Sequence, residues 1–254
     1  MSPSRLMLAL AAALFALPLT GFAQENPADE TAPEEPAAIG EAEEEESMLS
    51  WNAALTSDYV FRGVSQTDEE PALQLGLDLT FDHGWYAGVW GSNVDFGDGG
   101  PDVEIDTYIG WNHDIDDEWN LDVMINRYNY IGEDDEFGDG DYNELIGALA
   151  WSETITLTLG YTNDVYGLSE DGWYYGLGGA FELPGDFGLD VGIGHSTFDE
   201  ATEIEDYTDW SIAVNRDFGP VNVAAGWYDT DSSGDYNFGE VADGRFVLTL
   251  SIEG

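Results

Sequence analysis

From Met48 to Gly254 the chain alternates apolar residues with small or polar ones, in short runs broken by Asp, Gly, Asn and Pro. Leu73, Leu75, Leu77, Leu79 and Phe81 form one series, interleaved with Gln74, Gly76, Asp78 and Thr80. Val103, Ile105, Thr107, Ile109 and Trp111 form another, interleaved with Glu104, Asp106, Tyr108 and Gly110. A period of two puts each set on its own face of a strand. The pattern predicts twelve strands, over residues 50–62, 72–82, 85–94, 103–113, 118–131, 142–152, 154–164, 173–183, 187–195, 207–217, 220–229 and 244–252. Alternation alone fits a soluble sandwich or a lipocalin-like barrel as well as a membrane barrel, because each has one apolar and one polar face.

The connections separate these possibilities. After each even-numbered strand the link is brief, as at His83, at Ser152-Glu153 and at Phe218-Gly219. After each odd-numbered strand it is longer and rich in Gly and acid, as from Gly63 to Pro71, Gly132 to Asp141 and Thr230 to Asp243. Short turns on one rim, long loops on the other and an even strand count predict an antiparallel up-and-down transmembrane β-barrel of about twelve strands. Strand lengths near the ~9–11 residues of a tilted span agree with it. Aromatics toward strand ends, such as Trp51, Trp85, Trp111, Trp119, Trp151, Trp173 and Trp227, stand where interfacial girdles would lie.

The residues ahead of the strands fit export. Arg5 is the first charge, an apolar run follows from Leu6 to Leu19, and Gly21-Phe22-Ala23 suits cleavage after Ala23, so residues 1–23 are expected to be a signal peptide. Residues 24–48, rich in Glu, Ala and Pro with four consecutive acids at Glu43 to Glu46, are expected to be a disordered acidic linker, leaving 49–254 for the barrel. With no cysteine in the chain, backbone pairing and burial must hold an exported fold together. The formal net charge is −48, from 53 acids against five basic residues, all arginine. Such a charge excludes nucleic acid as a partner and favours small solutes or cations. The remaining expected partners follow from a barrel in a Gram-negative cell outer membrane: lipid, lipopolysaccharide and the barrel assembly machinery.

The segment Thr56-Ser57-Asp58-Tyr59-Val60-Phe61-Arg62-Gly63-Val64-Ser65-Gln66-Thr67, followed by Pro71-Ala72 and by Trp85 through Phe96, resembles the opening of the TorF-type porins, catalogued as bacterial proteins of unknown function. The resemblance runs from about Met48 to the C-terminus. It implies an outer-membrane barrel with a pore, and it brings neither a substrate nor catalytic residues. The chain departs from most outer-membrane barrels in ending Ile252-Glu253-Gly254 rather than on an aromatic residue.

Three constellations could carry chemistry. Arg62 and Arg245 share the polar parity on strands one and twelve, which become neighbours if the sheet closes. With Asp58, Asp78, Glu104, Asp106, Asp122 and Asp190 they would either set a transverse field along a diffusion pore or seal the barrel as ion pairs. In the last long loop Asp229, Asp231, Ser233, Gly234, Asp235 and Glu240 occupy positions 1, 3, 5, 6, 7 and 12 of a calcium loop, which makes Ca2+ a candidate cofactor. His195, Ser196 and Thr197 are the nearest approach to a nucleophile and base, but adjacent residues of a strand face opposite ways and only Thr197 stays in register with the imidazole. The sequence therefore points to a non-enzymatic, cation-preferring channel for passive diffusion. A non-transporting outer-membrane barrel, acting as a structural or adhesive anchor or as a lipid-modifying enzyme, is the other reading.

Overall fold

Every interior polar group of a membrane-spanning backbone must be paired within the protein, and a closed sheet achieves this. In the computed structural model, which describes residues 48–134 and 137–254, twelve antiparallel strands close into a barrel. They are β1 (Leu49–Thr56), β2 (Ala72–Thr80), β3 (Trp85–Asn93), β4 (Val103–Asp114), β5 (Trp119–Ile131) and β6 (Tyr142–Trp151). The circuit continues through β7 (Ile155–Thr162), β8 (Gly172–Leu183), β9 (Phe187–Phe198), β10 (Tyr207–Phe218), β11 (Val221–Thr230) and β12 (Arg245–Glu253). Each strand pairs with its sequence neighbour, and β1 closes the ring by pairing with both β2 and β12. The expected signal peptide, and the linker up to Ser47, lie outside the described residues.

The parity is inside-out. Leu75 and Leu77 are 54% and 50% exposed, whereas Gln74 between Leu73 and Leu75 is 6% exposed. Leu157, Ile193, Ile212 and Leu248 repeat the outward apolar pattern around the barrel, and the inner wall carries Glu104, Asp106, Asn126, Glu144 and Asp209. An apolar belt of this extent, far larger than the patches soluble monomers present, faces lipid. At the short-turn rim Trp85 stands across from Trp111 and Trp119 from Trp151. At the other rim the rings of Tyr161 and Trp173 lie 4.5 Å apart.

Two boundaries differ from the alternation pattern by more than two residues. The ninth strand runs on to Phe198, because Ser196, Thr197 and Phe198 still pair with Tyr174, Trp173 and Gly172. The first strand stops at Thr56 rather than at residue 62, because the Thr56 hydroxyl donates to the Asp58 carbonyl and turns the chain inward. Tyr59 to Ser65 keep the period of two, but within a ribbon in which Val60–Phe61 pairs only with Val64–Ser65.

Candidate functional site

The inward turn places residues 58–67 inside the barrel at the long-loop rim, and residues 68–71 return to the surface. At its tip Arg62 and Gly63 have φ of 45° and 82°, the signature of a two-residue hairpin turn with both central residues left-handed. For arginine this backbone costs ~1 kcal/mol, so the surroundings must hold it. They do. Arg62 Nη2 lies 2.8 Å from Glu144 Oε1 on β6, and its guanidinium stacks on Tyr174 of β8 and on Phe61, 4.0 and 4.5 Å from the ring centroids. Because β6 and β8 stand across the barrel from β1, the arginine spans the lumen.

The ribbon's base is fastened by Asp58. Its Oδ1 accepts from the Ser65 and Thr67 hydroxyls at 2.6 and 3.0 Å, and its Oδ2 accepts from Arg245 Nη1 at 3.0 Å. Arg245 ties in the last long loop too, donating to the carbonyls of Glu240 and Asp243, and it reaches Glu69 at 3.4 Å. Val64 packs with Tyr128, Tyr130, Tyr142, Tyr166, Tyr207 and Ala242 in one cluster, while Tyr59 and Phe61 pack with Trp90 and Val94 in another. These side chains come from opposite walls and all are buried, so the outer half of the lumen is filled. Gly63 is required at the tip: a Cβ there would sit 2.5 Å from Thr230 Cγ2 and 2.9 Å from the Asp229 carbonyl oxygen, on a backbone an L side chain resists. Gly63→Ala should therefore loosen the ribbon by ~1–3 kcal/mol. The check is limited proteolysis, which should cut within residues 58–67 of the folded variant and spare them in the parent.

Each lumen residue expected from the sequence faces inward, but in two separate groups. Glu104 and Asp106 lie under the ribbon, 0% and 2% exposed. Asp78, Asp122 and Asp190 lie toward the short-turn rim, where the inner wall is only partly buried. There Asp78 accepts from the Tyr108 hydroxyl, Asp122 from Tyr86 and Asn112, and Asp190 from Asn215. The lumen is thus a polar vestibule on the short-turn side beneath a sealed half. Arg62 and Arg245 do not face each other in a transverse field: each is drawn into an ion pair within the sealed half, Arg62 from the ribbon tip rather than from a barrel strand.

The calcium-loop spacing from Asp229 to Glu240 folds as something else. Ser232–Phe238 is a short helix, and Asp231 caps it by accepting from the N–H groups of Ser233 and Gly234, with its other oxygen on the Thr208 N–H. Asp235 lies inside the helix and Glu240 in the following 3-10 turn, so the alternating acids do not converge. Among the described residues no three acidic or imidazole groups are placed to hold a metal. His195 faces outward, and its Nδ1 meets the Thr208 hydroxyl of β10 at 3.1 Å, a cross-strand neighbour that a reading of β9 alone does not reveal.

The family described as "Bacterial protein of unknown function (Gcw_chp)" matches residues 41–251. The chain belongs to the Gcw_chp family. The segment carrying the TorF-type resemblance, Thr56 to Thr67, is in this Gcw_chp chain the inserted ribbon with its turn at Thr56. No curated protein matches the sequence. Among solved structures, the KdgM porin is similar with a TM-score of 0.47 at 5% identity, over 81% of this chain and 96% of the porin. The NanC porin gives 0.49 at 12% identity over 80% and 98%. OprD from Pseudomonas aeruginosa gives 0.38 at 12% identity, over 82% of this chain and 65% of OprD. Likeness at this level says nothing of a solute, and the functional reading rests on the barrel's own interior.

Glu144 and Asp209 complete the site and were not among the residues the sequence singled out, whereas Tyr174 keeps the inward parity that the sequence gives it. Glu144 and Tyr174 hold Arg62 directly, and Asp209 is a further buried inner-wall acid. Glu144 had a legible signal, an acid at the polar parity of a strand two residues beyond Tyr142, but nothing in the sequence joins β6 to the end of β1.

Proposed function

We propose that the barrel is a porin-like channel of a Gram-negative outer membrane, of the TorF type, which passes small solutes passively and prefers cations once the ribbon that fills its outer half is displaced. The observation that supports this most is the division of charge in the lumen. The water-accessible vestibule carries Asp78, Asp122 and Asp190, while the lumen's arginines, Arg62 and Arg245, are used up in ion pairs in the sealed half. Fixed negative charge in a narrow, low-dielectric wall raises the local cation concentration, and the effect weakens as the Debye length falls to ~3 Å near 1 M salt. Lipid and lipopolysaccharide would meet the outer belt, and the assembly machinery would insert it.

The test is the reversal potential under a KCl gradient in a planar bilayer, measured on the parent and on a barrel lacking the ribbon. A cation-selective value that fades as salt rises is expected. Asp78→Asn with Asp122→Asn should reduce it, and replacing linker acids Glu44 and Glu45 by Gln should leave it unchanged. An anion-selective value, or one indifferent to Asp78 and Asp122, would defeat the reading. The filled outer half supports a second reading, a non-transporting barrel that serves as an anchor or adhesin. Conductance with and without the ribbon separates the two.

A further inference from the structure

Two carboxyls sealed side by side inside a protein need a positive charge or protons beside them. Glu104 and Asp106 are two residues apart on β4, face the same way and lie within hydrogen-bonding reach of each other. The arginines of the lumen are engaged elsewhere, Arg62 by Glu144 and Arg245 by Asp58 and Glu69. Asn126 Nδ2 donates to Asp106 Oδ2 at 3.0 Å, and the Tyr59 hydroxyl reaches Glu104 Oε2 at 3.5 Å.

Around this pair several oxygens are buried with their lone pairs unused. Asp106 Oδ1, Asn126 Oδ1 and the Tyr130 hydroxyl have no hydrogen-bond partner, and all three residues are at least nine-tenths buried. Tyr130 stands directly across from Glu104 in the ladder, facing the same lumen. Native proteins leave few such groups unsatisfied, and an accumulation of acceptors around two acids calls for a cation. One shared proton would satisfy one oxygen. A hard divalent cation, which takes six or more oxygen ligands from carboxylates, amides and water, would satisfy the set and balance the charge.

We propose that Glu104, Asp106 and Asn126, with Tyr130 beside them, form a binding site for a divalent cation of the calcium class, closed over by Tyr59 of the ribbon. The site is distinct from the Asp229–Glu240 loop, and it holds whether or not the barrel conducts. Bound there, the cation would tie β4 and β5 to the underside of the ribbon and would exchange slowly, because both carboxyls are shut off from water.

The full chain in detergent offers a built-in reporter. Trp90 lies directly across from Asp106 in the ladder, so terbium in the site should luminesce on tryptophan excitation. In the parent, at ionic strength high enough to suppress binding to the acidic surface, we expect saturable emission displaced by calcium, and calorimetry with calcium alone should find a matching site. Glu104→Gln with Asp106→Asn should abolish both while the barrel keeps its heat-modifiable gel mobility. Trp90→Phe should lose most of the emission and keep the calorimetric site. Emission or heat equal in the parent and the double variant would mean surface binding only and would overturn the proposal. So would an absence of calcium binding to the parent at neutral pH, which would leave a shared proton as the neutralising charge, or full emission from Trp90→Phe. Because no transport is measured, failure here is independent of failure of the channel reading.

Discussion

Deleting residues 58–69 and bridging the gap with a Gly-Ser turn should convert a barrel that conducts little into one with large, steady single-channel currents. The ribbon is the element that fills the lumen between β1 and the facing wall, and its removal takes away Tyr59, Phe61, Arg62 and Val64 together. Barrel closure should survive, because the β1–β2 and β1–β12 ladders involve no residue of the ribbon. A milder change should give a graded result. Arg62→Ala leaves Glu144 buried without its cation, and losing one partner of a buried pair typically costs 3–5 kcal/mol, enough to populate a loosened ribbon. We therefore expect brief openings from Arg62→Ala and sustained ones from the deletion. The measurement is conductance in planar bilayers at fixed salt. If the deletion conducts no more than the parent, the loops around Tyr166, Tyr207 and Ala242 close the mouth by themselves, and the non-transporting reading gains.

The contrast between β1 and the other strands explains what the sequence could and could not say. Period two marks which face a residue takes, and on that the reading from residues alone placed twelve strands in an inside-out barrel. Yet period two is blind to the partner strand. Tyr59, Val60 and Phe61 keep the alternation of β1, and only the Thr56 turn and the left-handed Arg62-Gly63 pair end the barrel strand and begin the ribbon. The Arg-Gly dipeptide was the legible hint, since a two-residue hairpin needs left-handed residues. Partners across the barrel were beyond reach for the same reason, as with Arg62 and Glu144, 82 residues apart. Arg245 and Asp58, 187 apart, stand instead at or just beyond the ends of strands that closure makes neighbours, and an ion pair between them was one of the two readings the residues allowed. The acids from Asp229 to Glu240 mark another limit, since spacing alone cannot tell a cation loop from a helix whose N-terminal N–H groups Asp231 caps.

Leu77→Lys should be the most damaging single substitution on the outer wall. Leu77 lies mid-strand on β2, half exposed on the apolar belt, flanked in the ladders by Trp51 and Val89. A lysine on the lipid face near the midplane costs ~2–4 kcal/mol, because the ammonium must leave water or drag headgroups and water into the bilayer. The same residue turned inward should be tolerated. Ala148 on β6 faces the partly buried lower lumen directly opposite Asp122, so Ala148→Lys would meet a carboxylate in reach of water. Reversible unfolding in urea from lipid vesicles would measure both. The expected result is a clearly lowered midpoint for Leu77→Lys beside one close to the parent for Ala148→Lys. Equal stabilities would contradict the facing of the two walls. A loss larger at Ala148 than at Leu77 would require the apolar series to point into the barrel.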